Sequence, residues 1–578
     1  MFNESIILFE IPREESVGQV VKVDSYSVTI NIPDDDILKS LNVNGFVILH
    51  TSNPNVRLIG RIDRVLRIDD ITQYSIDGGV NLKVSNSAII NALGTLYGPN
   101  AERKSAQFTR AVEVLPEIGA DCFYLSGKYL SSFTTLIASE NTSTDSPLTL
   151  GAYAISNESK AILDGNAFFQ RHAMIVGSTG SGKSYTVAKL VEQAASLEHA
   201  NMIIFDLHGE YAPLAKHKKI KQFRIAGPGD LNESSEEVLY LPYWLLGYED
   251  MLALILDRTD ENAPNQAMVF SSTVLEAKRN YLEELNMQEE LETFTIDSPI
   301  PYKLDYVIEK IVELNNERVQ GSRGMVNGPF KGKFDRFIPR IISKMDDRRY
   351  GFLFSLDEEK GSSDYLIKLV KNLMEPSAED NSGVKIINFS EVPSDILPIV
   401  ISLVARIVFQ IQQWTPSERR YPISLICDEA HLYLPAKQLA NASEVRALEH
   451  FERIAKEGRK YGVSLTIISQ RPSELNTTIM SQCNNVIALR LANQSDKNAV
   501  SNLLPENLGG IKEVLPILGV GEGIVVGDSC ILPFRIKIEQ PVFKPKSNSL
   551  KFWSVWKQGQ EDQKLKQSVI NLQRQTLE

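Results

Sequence analysis

Cysteine is scarce in this chain. Cys122, Cys427, Cys483 and Cys530 are the four in 578 residues, and no two stand in a C-x-x-C pair. Such spacing excludes a zinc knuckle or a disulfide framework and fits a reducing, cytoplasmic setting. Met1-Phe2-Asn3-Glu4-Ser5 lacks a basic segment leading into an apolar one, so no secretory signal is expected. An apolar run long enough for a membrane span, about 20 residues, is also missing. The longest apolar stretch, 397–414, is interrupted by Arg406, Gln410, Gln412 and Gln413. It reads as a buried helix, and no membrane partner is expected. Excess positive charge is absent too, the formal net charge being -12. A protein that simply coats nucleic acid is more often basic. A ring that is acidic outside and basic only in its pore still fits DNA. No internal repeat, low-complexity tract, dinucleotide fingerprint or nuclease-type carboxylate cluster is visible.

What remains is a globular composition, 43% hydrophobic and 23% charged, which argues against wholesale disorder. At about 100–200 residues per domain, the length suggests roughly three domains. Residues 1–155 read as a small β-rich barrel, because β-branched runs at 17–23, 27–32, 45–49 and 58–62 are separated by turn residues such as Asp24-Ser25. Residues 138–146 read as a loop. From 156 the rhythm becomes strand, helix, strand, as in a parallel α/β sheet. Strands are expected at 173–176, 202–206, 384–389, 423–428, 464–469 and 486–489. Residues 156–244 and 386–542 form the two halves of this core. The intervening 245–385 reads as a helical insertion, with Pro264 at one helix start. Its middle carries Arg323, Lys331, Lys333, Arg336, Arg340, Lys344, Arg348 and Arg349 against Asp335, Asp346 and Asp347. That stretch is either a solvated face or a phosphate-binding one. A polar helical tail fills 543–578. The fold class is α/β, a RecA-like P-loop core with an N-terminal small β-barrel, a helical insertion and a C-terminal helical tail.

The motif with the most specific chemistry is Gly177-Ser178-Thr179-Gly180-Ser181-Gly182-Lys183-Ser184, a match to G-x-x-x-x-G-K-[ST]. Between an apolar strand and a helix, its backbone N–H groups wrap a phosphate and the helix N-terminus adds its positive end. Lys183 is expected on the β- and γ-phosphates of ATP and the Ser184 hydroxyl on Mg²⁺. Tyr185, next in the chain, is counted among the nucleotide contacts. Ser424-Leu425-Ile426-Cys427-Asp428-Glu429 is an apolar strand ending in two carboxylates, which core packing alone does not call for. Asp428 is expected to help hold Mg²⁺, and Glu429 to polarise the attacking water. Gln470, at the end of the 464–469 strand, is either a polar cap or a sensor of the γ-phosphate. Gly458 and Gly462 mark a helix end. Arg459 there is either an ordinary C-terminal helix charge or an arginine finger. Arg171, just before the phosphate-loop strand, is ambiguous in the same way. His208 and Glu210 invite a metal or proton-shuttle reading, with support of the nucleotide site as the plainer alternative.

Taken together, several segments resemble HerA, a member of the HerA/FtsK group of hexameric DNA-pumping ATPases. They are the phosphate loop preceded by Arg171-His172; Asp206-Leu207-His208-Gly209-Glu210-Tyr211; Asp428-Glu429-Ala430-His431; Glu457-Gly458-Arg459-Lys460-Tyr461-Gly462; and Ser469-Gln470-Arg471-Pro472-Ser473. Leu518-Gly519-Val520-Gly521-Glu522-Gly523, followed by Pro533, is similar to the family's last core strands. The resemblance implies a homo-hexamer with ATP at its subunit interfaces and double-stranded DNA in its pore. It makes Arg459 the first choice for an arginine finger acting in trans and Arg171 the second. It also implies a partner effector: a nuclease in archaeal end resection, or a sirtuin-like NAD hydrolase or a nuclease in bacterial anti-phage defence. Two other readings share the core: an ATP-regulated scaffold ring that switches an effector, and a secretion or conjugation motor.

Overall fold

In a computed structural model, residues 6–575 are described apart from 71–82, 101–104, 142–145, 233–234, 323, 379–381, 505–510, 547–551 and 559–562. Arg323 therefore lies outside the described residues, as do Met1 to Ser5. The chain forms two compact units, one made of Met1–Ala194, Thr466–Ser473 and Met480–Val542, the other of Ala195–Leu465, Glu474–Ile479 and Phe543–Glu578.

The first unit begins with the expected barrel. Its strands run in the order Ser27–Ile32, Ser16–Val23, Asp121–Tyr124, Phe46–His50, Val56–Asp70, Lys83–Tyr97, and the last pairs back onto the first. Alternation closes it: Val28, Ile30 and Ile32 point into a core shared with Val20, Val47, Leu58 and Ile90, while the residues between them face out. Irregular register at Val20/Lys22, Ile59/Gly60 and Ile62/Arg64 supplies the bends that closure needs. Residues 138–146 are not all loop, because the helix Gly127–Asn141 runs into them. The hairpin Pro147–Tyr153/Ser156–Asp164 leaves the barrel and pairs with Phe534–Ile538. The boundary expected at 155/156 thus falls in that hairpin's turn, and the α/β sheet takes up the chain from 147. Sequence periodicity shows a strand but not its partner, which here stands almost 400 residues away.

In the same unit the phosphate-loop strand Ala173–Val176 lies parallel between Thr466–Ser469 and Asn485–Leu489. Glu522–Gly527 and Phe534–Ile538 extend the sheet antiparallel. In the second unit five parallel strands stand in the order Val238–Leu239, Ile220–Ile225, Val384–Asn388, Met202–Asp206, Ile423–Cys427. Met202–Asp206 and Ile423–Cys427 are buried at every position, as parallel strands covered on both faces must be, which explains their unbroken apolar runs.

Helix Ala442–Tyr461 starts at an Asn441/Glu444 capping box and ends at Gly462, whose φ of 73° is the left-handed turn a helix C-cap requires. Gly458 does not end the helix. It lies within it, and a Cβ there would meet the Val463 carbonyl oxygen at 2.5 Å. Leu397–Trp414 is, among the described residues, the one helix long and apolar enough to cross a membrane, and 72% of it is buried inside the structure. The insertion is mostly helical: Tyr248–Ile255, Ala263–Glu284, Gln288–Thr293, Leu304–Asn316, Phe337–Asp346, Gly351–Phe354 and Ser363–Met374. One part is not, since Arg318–Gly321 and Gly324–Asn327 form a two-stranded antiparallel hairpin. The tail holds two helices, Phe552–Gln558 and Gln563–Arg574. All four cysteines are free and buried.

Candidate nucleotide site

The phosphate loop is shaped by its neighbours before any ligand arrives. Gly177 N–H donates to the Ser469 carbonyl at 3.3 Å, Ser178 N–H to the Arg490 carbonyl at 2.8 Å, and Ser181 N–H to Ser178 at 3.1 Å. Gly182 takes a φ of +106°, and a Cβ there would stand 3.1 Å from the Gly521 nitrogen. Only glycine accepts that backbone and that approach together. The Gly521 N–H donates to the Ser181 carbonyl at 2.9 Å, so the turn at 519–523 backs the loop. Lys183 opens the helix Lys183–Ala195 and is buried to 8% exposure, while Gly180 and Thr179 lie at the rim. Ser184 and Tyr185 follow it on the first turn, both half-buried. Ser181 Oγ is fully buried without a hydrogen-bond partner among the described residues. A glycine-rich turn at a helix N-terminus, with a buried hydroxyl that has no partner among the described residues, fits a nucleotide's phosphates.

Gln470 stands against the phosphate loop. The parallel register sets Ser469 beside Val176, and the next residue along accepts a 2.5 Å hydrogen bond from Thr179 Oγ1. It is therefore bonded to the phosphate loop itself and is more than a polar cap. Arg171 differs. It is ion-paired with Asp528, which also accepts from Asn484 Nδ2 at 3.1 Å. That pairing links residues 357 apart, and no local pattern announces it.

The second unit holds the carboxylates. The register Phe205↔Cys427 brings the ends of two strands together, and with them Asp206, Asp428 and Glu429. Asp206 has 0% exposure and accepts from three backbone N–H groups: His208 at 3.3 Å, Glu210 at 3.1 Å and Tyr211 at 2.9 Å. Burial nevertheless pushes its pKa above the usual carboxylate value, and only those bonds oppose the push. Burial raises the Asp428 pKa well above normal as well, reinforced by the charges of Glu429, Asp206 and Glu210. Glu429 sits at φ 42°, ψ 43°, a left-handed backbone uncommon outside glycine, with its carboxylate 3.4 Å from His431 Nδ1. Tyr211 and Tyr433, each fully buried, wall the cluster. Among the described residues no group of three or more His, Cys, Asp or Glu is placed to hold a metal by itself, which leaves the metal reading of His208 and Glu210 without a site. A Mg²⁺ that arrives on phosphates needs only one or two carboxylates, and a buried, mutually repelling set fits that role. The Asp206 to Tyr211 segment, whose role spacing does not reveal, is thus a carboxylate-capped turn beside Asp428.

Arg459 is exposed on the last turn of Ala442–Tyr461 and makes no ion pair or hydrogen bond among the described residues.

A glycine cradle on a strand–helix junction with a glutamine bonded to it in one unit, and an Asp-Glu strand end in the other, are the marks of a P-loop ATPase with a RecA-like core. The HerA helicase central-domain family matches residues 148–408. A probable helicase of Methanocaldococcus jannaschii is 26% identical over 544 residues, covering 91% of this chain and 95% of that protein. The DNA double-strand break repair helicase HerA of Saccharolobus solfataricus is 28% identical over 404 residues, 69% of this chain and 70% of that one. Among solved structures, the bacterial conjugative coupling protein TrwB aligns over 71% of this chain and 92% of its own at a TM-score of 0.44 and 12% identity. Over 148–408 the chain matches the central domain of HerA helicases, and over most of its length it is similar to proteins named as helicases of that kind.

Proposed function

We propose that this protein is a motor that moves along or unwinds double-stranded DNA as a homo-hexameric ring, powered by Mg²⁺–ATP. Lys183 and the loop amides bind the β- and γ-phosphates, Ser184 and Asp428 serve Mg²⁺, and Glu429 orients the attacking water. The observation that carries the reading is the Thr179–Gln470 hydrogen bond, which couples a core strand end to the phosphate loop in a chain similar to HerA helicases. Arg459, exposed and uncommitted, is assigned to a neighbour's nucleotide. Arg171, already paired with Asp528, is not favoured for that role. A cytoplasmic location and a partner effector, a nuclease or a sirtuin-like NAD hydrolase acting in anti-phage defence, complete the proposal.

The test is steady-state ATPase activity with and without linear duplex DNA, with Lys183→Ala as the blank. Stimulation by DNA that vanishes in the blank supports the motor. Activity indifferent to DNA but responsive to an effector would replace the motor with a scaffold ring. Unchanged phage sensitivity on deleting the gene would remove the defence setting.

A further inference from the structure

Much of the basic stretch of the insertion is occupied within the protein. Arg340 pairs with Asp257 at 3.0 Å, Lys344 with Asp395 at 3.2 Å and Arg349 with Asp347 at 2.6 Å. Arg348 donates to the Pro228 carbonyl at 3.3 Å. The uncommitted cations gather at the hairpin that sequence periodicity did not show. Arg318 opens its first strand and is exposed, and Lys331, Lys333 and Arg336 follow its second. None of these four has an ion pair among the described residues. Lys331 bonds only the neutral Asn316 side chain, at 3.2 Å, and Lys333 stands over the Phe330 ring. Two carboxylates lie in the same segment: Glu317 is half-buried, and Asp335 accepts from Asn315 Nδ2 at 2.7 Å.

The ribbon itself stands alone. Arg318 pairs with Asn327, Val319 with Val326 and Gln320 with Met325, and among the described residues no third strand joins them. Val319, Met325 and Val326 are exposed by 36%, 54% and 48%. A lone hairpin is marginal in water, and this one is held at its root. Gly328 N–H donates to the Glu317 carbonyl at 2.9 Å and Gly332 N–H to Asn315 at 3.2 Å. The Asn315 side chain, 7% exposed, accepts from Phe334 N–H at 3.0 Å, and Phe334 is completely buried. A fixed root with an uncovered ribbon is a built projection. Two strands about 4.8 Å apart, with side chains, fit the roughly 12 Å major groove of B-form DNA.

We propose that the hairpin Arg318–Asn327 is a DNA-contacting ribbon that enters the major groove of duplex DNA, with Arg318, Lys331 and Lys333 on flanking phosphates. The inference rests on the motor reading above and names its DNA contact. Charge complementarity selects the occupant, because a row of cations without carboxylate partners on a protein of net charge -12 matches a polyanion.

The experiment measures affinity for a 30-base-pair duplex against salt, using the full chain and the triple variant Arg318→Glu/Lys331→Glu/Lys333→Glu. Arg340→Glu serves as the control, because its cation is already paired. Losing three phosphate contacts should flatten the slope of log K against log salt by about 2.7. The control should keep the wild-type slope, and basal ATPase should be unchanged in all three proteins. A triple variant with wild-type affinity and slope overturns the inference and leaves the motor standing. A triple variant that changes oligomeric mass by light scattering, but not DNA affinity, overturns it in favour of a second copy on the ribbon. A variant that loses only effector binding assigns the ribbon to a protein. Wild-type protein that binds no duplex sinks both readings.

Discussion

Removing the Asp206 carboxylate should loosen the turn at 207–211 by an amount the hydrogen bonds set. In Asp206→Ala three backbone donors lose their acceptor. The Tyr211 N–H is fully buried and is left unsatisfied, while those of His208 and Glu210 are partly exposed and can turn to water. One orphaned buried donor costs about 1–3 kcal/mol, and each of the other two bonds contributes about 0.5–1.5 kcal/mol. Against this, the substitution relieves the repulsion of Asp206 with Asp428 and Glu210. A net loss of about 3 kcal/mol is expected. Asp206→Asn keeps one acceptor oxygen and relieves the same repulsion, so it should lose about 1 kcal/mol. Amide hydrogen exchange reads this local opening directly, and its units need not follow global unfolding. At 1.4 kcal/mol per tenfold, the Tyr211 amide should exchange roughly a hundredfold faster in the Ala variant and about fivefold faster in the Asn variant. Equal acceleration in the two variants, or none in the Ala variant, would refute the view that Asp206 acts as an acceptor holding this turn beside Asp428.

Other outcomes follow from the same site. Glu429→Gln should bind ATP as the wild type does and hydrolyse it about 10²–10⁴-fold more slowly, checked by fluorescent-nucleotide binding and phosphate release. Gly182→Ala should weaken nucleotide binding at least about tenfold in a titration with a fluorescent ATP analogue, because the left-handed backbone alone costs an alanine about 1–2 kcal/mol before the contact with Gly521 is counted. Asp428 and Asp206 have pKa values raised on folding, so their contribution to stability is complete below about pH 4. As pH rises the unfolded chain ionises first, and stability is lost at up to about 1.4 kcal/mol per unit for each group. Thermal denaturation of the nucleotide-free protein between pH 4.5 and 8 should therefore fall less steeply in Asp428→Asn than in wild type. Arg459→Ala should cut ATPase by about 10³-fold or more. Mixing it with inactive Lys183→Ala subunits should restore part of the activity, a rescue that a residue acting within its own subunit would not give.

The six core strands expected from apolar runs were legible almost to the residue, whereas Ile220–Ile225 and Val238–Leu239, broken by Lys221, Gln222 and Arg224 or only two residues long, were not. Ala173–Val176 and Met202–Asp206 fall where the apolar runs place them, and Val463–Ser469 and Asn485–Leu489 differ by one residue at one end. The phosphate loop was equally legible, since its spacing is itself the chemistry. What sequence did not show depends on partners far along the chain. The hairpin of 147–164 was divided at 155/156 between barrel and core, because a strand's residues do not say which sheet it joins. Asp206 gained its role only when the register set it beside Asp428. The ribbon at 318–327 was hidden because Gly321 and Gly324 interrupt two very short strands within a basic, helix-rich stretch. Gly458 was mistaken for a helix stop because a glycine needed for close packing looks the same as one needed for a left-handed turn.

The four buried thiols have a practical side. Burial pushes Cys483 and Cys530 up to about 12, and Cys122 higher still, so almost no thiolate is present at neutral pH. Alkylating reagents and mild oxidants should leave the folded chain untouched. One new cysteine at an exposed position, such as Ser322 in the turn of the ribbon, would then be the only reactive thiol in the chain. A fluorophore or cross-linker can be attached there without first removing any native residue.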